Sequence, residues 1–184
     1  RVKKGSRQDG GALEYYNRYF DGGSEYFSLD SDIVIHHNLI DNNLMFLEAY
    51  GNVTRMLLAY NVYLNGSPAA LMFHLDDCEH PVWTHECTYW DVKIENNTFV
   101  TDDTTSGWGI IGLLNDSTHP PNPAKSRFIV RNNAFDTAGY LVGWSNPLGS
   151  NLVHDHNLAH FRGNGGFCQR NNAWVPVATE QSVL

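Results

Sequence analysis

The chain has 184 residues, a length that suits one substantial core and does not demand two domains. A hydrophobic share of 42% argues against disorder over most of it. A formal charge of −8 with only 12 Lys and Arg argues against a nucleic-acid partner, because phosphate binding needs a basic surface.

Residues 1–10 carry Arg1, Lys3, Lys4 and Arg7 and are read as a flexible or capping segment. The chain begins on Arg and shows no signal peptide, the pattern of a mature product or of a piece of a longer solenoid. No apolar run of about eighteen residues occurs, so no membrane partner is expected.

From residue 11 two kinds of apolar strand alternate along the chain. The first kind is ALEYY (12–16), LMFLEAY (44–50), ALMFHLDD (70–77), WGIIGLL (108–114) and YLVGW (140–144). LMFLEAY and LMFHLDD nearly repeat one another, which suggests aligning them directly. The second kind runs into an asparagine: DIVIHHNLI around Asn38, RMLLAYNVYL around Asn61, DVKIENNTFV around Asn97, RFIVRNNAFD around Asn133 and, more loosely, NLVHDHNLAHF around Asn157. The residues before each Asn alternate with period two and are rich in Val, Ile and Leu, as a half-buried strand requires. Asn suits a bend because its short amide tolerates left-handed backbone and bonds neighbouring backbone groups.

The successive asparagines are 23, 36, 36 and 24 residues apart. Two of these spacings equal one coil of a β-solenoid, and two equal a coil plus about a dozen inserted residues. Each coil then reads as long strand, loop, pre-Asn strand, Asn bend, short strand and return, and stacked amides would form a ladder. No segment shows the sustained helical stripe of an α/β fold, and a β-sandwich would not explain Asn at one repeated phase. The expectation is an all-β, right-handed, single-stranded parallel β-helix of five or six coils over 11–172, with 173–184 as a tail or cap.

The I-x-N-N-x-F wording of the NNTF and NNAF copies resembles the repeat signature of the pectate-lyase-like parallel β-helix superfamily, over roughly residues 11–160. That resemblance implies a saccharide groove on the long-strand sheet. It is specific for fold and weak for activity, since the scaffold hosts many.

Extra residues gather at one corner, after the long strands: roughly 17–31, 76–90, 115–126 and 145–151. Inserted loops on a repetitive scaffold map to one face, often the binding face. On that face Glu14 and Glu48 share a phase in adjacent coils, which predicts backbones about 4.8 Å apart. Retaining glycosidases hold their acid and nucleophile about 5–5.5 Å apart, so the pair is a candidate catalytic couple. It could equally hold Ca²⁺, or be two solvated or Tyr-bonded carboxylates. His74 and Asp76 fall on the same face near Glu48 as general acid/base candidates, with Asp77 beside them for substrate.

Tyr15, Tyr16, Tyr50, Trp83, Trp90, Trp108 and Trp144 lie near the expected groove, where rings could stack on sugar C–H faces. Of these Tyr16, Tyr50, Trp83 and Trp144 are the candidate substrate contacts. The near-palindrome Cys78-x-His80 … His85-x-Cys87 leaves three readings open: a disulfide, free thiols or a metal site, with no metal required. Cys168 is read as a buried or unpaired thiol.

Two functions follow as expectations. One is an extracellular or periplasmic carbohydrate-active enzyme, a glycoside hydrolase ahead of a polysaccharide lyase, since Lys is nearly absent from the repeats. The other is a non-catalytic glycan-binding or structural module of a larger secreted protein.

Overall fold

The computed structural model describes residues 11–16, 18–21, 24–27, 29–75, 87–102, 109–114, 125–144, 151–162, 166–170 and 173–174. Asp76, Asp77, Cys78, His80, Trp83, His85 and Trp108 lie outside them, as do 1–10 and 175–184. All the regular elements described are strands, and the chain is a right-handed parallel β-helix.

The first sheet stacks six parallel strands in order: β1 (Gly11–Tyr16), β6 (Met45–Tyr50), β9 (Leu71–His74), β12 (Ile111–Leu114), β15 (Tyr140–Trp144) and β18 (Gly166–Arg170). The short β19 (Ala173–Trp174) closes its far edge antiparallel to β18. The second sheet is β4 (Leu29–His36), β7 (Asn52–Ala59), β10 (Tyr89–Glu95), β13 (Ser126–Arg131) and β16 (Leu152–Asp155). The third is β5 (Leu39–Asp41), β8 (Val62–Gly66), β11 (Thr98–Thr101), β14 (Ala134–Thr137) and β17 (Leu158–Phe161). Five full coils and the start of a sixth result. The insertion after β1 is an antiparallel hairpin, β2 (Arg18–Asp21) and β3 (Ser24–Phe27), shorter than the 17–31 expected because β4 begins at Leu29.

Alternation fixes which side of each strand is wetted, and stacking then repeats the choice coil after coil. Leu47, Leu71, Ile111 and Val142 fall in one inward row of the first sheet. Met56, Val92 and Phe128 do so in the second, and Tyr63, Phe99 and Phe135 in the third. Rings meet where the rows converge: Phe99 stacks on Phe135 at 5.3 Å, and Phe73 meets Phe128 edge-on at 5.1 Å.

The asparagine ladder is present along the whole stack. Nδ2 of Asn38, Asn61, Asn97 and Asn133 each donates at 3.0 Å to Oδ1 of the next asparagine. The same Oδ1 accepts the backbone N–H of the preceding ladder residue, at 3.0, 2.9, 2.9 and 3.0 Å. The left-handed residue, however, is not the ladder asparagine but the one before it: His37, Tyr60, Asn96, Asn132 and His156 have φ between 51° and 57°. The bend turns at that residue so that the following amide points inward, where it can be buried and fully bonded.

The direct alignment of LMFLEAY with LMFHLDD is three residues out. Leu47 pairs with Leu71 and Glu48 with Met72, whereas the sequence likeness would have matched Leu44 to Leu71. An odd slip would turn every side chain to the wrong face. A bulge accommodates the likeness instead: the N–H groups of Phe46 and Leu47 both reach the carbonyl of Ala70, at 2.8 and 3.1 Å, so two residues oppose one. Phe46 and Leu47 are thereby both buried in the main core, while Met45 joins a small separate cluster with Ala69 and Met72.

Candidate functional site

The outer face of the first sheet carries the chemistry. β1 and β6 pair with Glu14 directly opposite Glu48 and Tyr16 opposite Tyr50, the phase relation the sequence suggested. β9 continues the stack, with Met72 opposite Glu48. His74 stands one step past the last paired residues, Ala49 and Phe73, in the row of Tyr50.

Glu48, Tyr50 and His74 form one cluster. The Tyr50 hydroxyl donates to Glu48 Oε1 at 2.8 Å, and His74 Nε2 lies 3.1 Å from the same oxygen. The phenol and imidazole rings stack at 3.8 Å and 16°. The side chains of His74 and Glu48 are only 17% and 14% exposed, so their contact is not a solvated surface pair. A carboxylate oxygen only accepts, so the imidazole meets it through Nε2–H. Both donors fall on Oε1. Glu14 itself is exposed.

Along the stack the row changes character. After Glu14 and Glu48 come Met72, Gly112 and Gly143 in register. A Cβ on Gly112 would meet Met72 Sδ at 2.6 Å, so the thioether lies over the glycine. Leu114 packs beside it. The polar cluster therefore borders an apolar strip, a feature the sequence reading missed because the strip needs the correct register to be seen.

Several expected contacts are placed elsewhere. Tyr15 turns toward the core and its hydroxyl donates to the carbonyl of Asn52 at 3.1 Å. Trp90 belongs to β10 in the second sheet, opposite Thr54, away from the groove, because the strand begins before the bend and not on the long-strand face. Tyr16 and Trp144 are described in backbone only; Trp144 pairs with Leu113.

Cys87 is disulfide-bonded. It is tied to Leu75 at the end of β9 by a 2.9 Å backbone hydrogen bond. Cys168, in register with Val142 and so three strands further along, is about 14 Å away in the stacking direction, beyond the roughly 7 Å between Cα atoms that a disulfide spans. The bond also removes Cys87 from any thiolate metal set, and no group of three or more His, Cys, Asp or Glu is arranged to hold a metal among the described residues.

Fold and site together define a right-handed parallel β-helix whose first sheet bears a carboxylate–histidine–tyrosine cluster on its outer face. No family model matches the chain, and no match is found among curated proteins or solved structures.

Proposed function

We propose that the chain is a carbohydrate-active protein that binds and cleaves a polysaccharide or oligosaccharide on the outer face of the first sheet, as a retaining glycoside hydrolase. The observation that carries this reading is Glu48. It sits beside Glu14 in register, largely buried, with Oε1 held by Tyr50 and His74. Two donors on one oxygen fix the carboxylate's orientation.

In this reading Glu48 attacks the anomeric carbon through Oε2, and Glu14 gives its proton to the departing glycosidic oxygen. Glu14 then takes a proton from water, whose oxygen displaces Glu48 and restores both carboxyls. Tyr50 and His74 orient the nucleophile, and the partly exposed Leu114, packed on the Met72 cluster, offers an apolar surface to a sugar C–H face. Asp76, Asp77, Trp83, Tyr16 and Trp144 are proposed to complete the groove. The Cys87 disulfide supports an extracellular or periplasmic setting, since such bonds persist in oxidising compartments.

The test is a polysaccharide panel read for new reducing ends and for unsaturated uronates. Glu48→Gln and Glu14→Gln should each lower kcat by about 10²–10⁴-fold while binding of the same polysaccharide is kept. Binding without release of either product would make the chain a non-catalytic glycan-binding module. Unsaturated products would make it a lyase, and wild-type turnover in both variants would end the carboxylate mechanism.

A further inference from the structure

A second convergence of side chains lies at the bend that ends β4. The Nδ1 atoms of His36 and His37 are 2.7 Å apart, both residues are exposed, and the two rings stand nearly perpendicular, at 86° with centroids 4.9 Å apart. His37 is further fixed by stacking on Tyr60 of the next coil at 5.2 Å and 22°. Neither ring is placed by chance contact alone. His37 occupies the left-handed bend position, φ 54°, and Asn38 at the head of the ladder donates to the His36 carbonyl at 3.0 Å. Adjacent residues on an ordinary strand point to opposite faces; here the bend brings both imidazoles to one side.

We infer that His36 and His37 form a two-imidazole site for a divalent late transition-metal ion, with Cu²⁺ the best fit and Ni²⁺ next. Imidazole nitrogens bind such ions at about 2.0–2.1 Å. Two of them at the 90° angle of a tetragonal ion stand about 2.9 Å apart, and at a tetrahedral angle about 3.3 Å. The observed 2.7 Å, a hydrogen-bond separation, has to open less to reach the first than the second, which favours Cu²⁺ or Ni²⁺ over Zn²⁺. The Irving–Williams order then puts Cu²⁺ ahead. In the ion-free protein one ring donates an N–H to the other; on binding, that proton moves to Nε2 of its own ring, so both Nδ1 lone pairs face the metal. Solvent fills the remaining positions.

Titration of the whole chain with Cu²⁺ alone, followed by electron paramagnetic resonance at one equivalent, tests this. The expected result is one tightest equivalent whose spectrum shows two imidazole nitrogens. Affinity for that equivalent should fall at least about tenfold in His36→Gln and in His37→Asn. Asn tolerates the left-handed backbone of position 37, and position 36 is exposed, so both variants keep the fold, which thermal melting verifies. Unchanged Cu²⁺ affinity in both variants, or a single coordinated nitrogen in the wild type, would overturn the inference and leave the pair as a shared hydrogen bond.

Discussion

Tyr63 is buried in the third sheet with its hydroxyl within bonding reach of three backbone carbonyls, those of Asn43 (2.9 Å), Leu44 (3.0 Å) and Ser67 (3.0 Å). One O–H lies within reach of three acceptors, of which the Asn43 carbonyl is buried. Burial pushes its pKa well above the ordinary tyrosine value, and the negative charge of Asp102 adds to the shift. Because the folded pKa is raised, the contribution to stability is fully present below about pH 10, where the unfolded tyrosine begins to ionise, and is lost as pH rises further. Tyr63→Phe should cost about 1–3 kcal/mol at pH 7 by urea unfolding, since it strips the donor from the buried Asn43 carbonyl. It should also flatten the loss of stability between pH 9 and 11 relative to wild type. An equal alkaline slope in both proteins would show that Tyr63 ionises as readily folded as unfolded. Gly66 belongs to the same contact: a Cβ there would run into the Tyr63 hydroxyl and the Asn43 carbonyl, so Gly66→Ala should destabilise as well.

At the scale of the element, the ladder makes an asparagine's worth depend on its place in the stack. Asn97 Nδ2 donates to the carbonyls of Leu58 and Glu95 and to Asn133 Oδ1, while its own Oδ1 accepts twice from Asn61. The Asn38 side chain at the first bend donates to His36 and Asn61, accepts from no described residue, and is exposed. Asn97→Ala should therefore cost about 3 kcal/mol or more and Asn38→Ala about 1 kcal/mol, measured by chemical denaturation. Equal costs would mean that the amides act singly and not as a chain.

This regularity is also why the fold could be read from residues alone. Asn38, Asn61, Asn97, Asn133 and Asn157 recur because each coil must satisfy the same buried bend, and that demand is visible in one dimension. Register on the first sheet was harder. The likeness of LMFLEAY to LMFHLDD comes from both strands filling the same core, yet the bulge at Phe46 shifts one against the other, and a bulge has no local signature here. The pairing of Glu14 with Glu48 could be found because LEYY and LEAY match directly and their register runs unbroken from Leu13–Leu47 to Tyr16–Tyr50. The stacking of Tyr50 on His74 could not, because it depends on the three-residue offset.

Across the whole molecule, the parallel strands described pair only with strands of the adjacent coils, so stability is largely a sum of coil and interface contributions. The end coils show the consequence. Val34 and Leu39 in the first coil are 55% and 46% exposed, and Val153 and Leu158 in the fifth are 38% and 74% exposed, whereas their row-mates Leu57, Val62, Ile129 and Ala134 are half-buried. Charge follows the same linear logic on the second sheet. Asp32 and Arg55 make two 2.7 Å bonds, and Asp91 in the next coil faces Arg127 beyond it at 3.8 Å, an alternating row along the stack. The Asp32–Arg55 pair is exposed and screened by salt, so it sets register more than stability. Hydrogen exchange should then grade along the stack, with amides of β7, β10 and β13 more protected than those of β4 and β16. Asn97→Ala should weaken protection first in β10 and β11 and next in the strands on either side, and least in β16 and β17. If every strand instead exchanged at one rate, and the variant lowered all of them equally, the coils would be opening together and a nearest-neighbour description of this solenoid would be wrong.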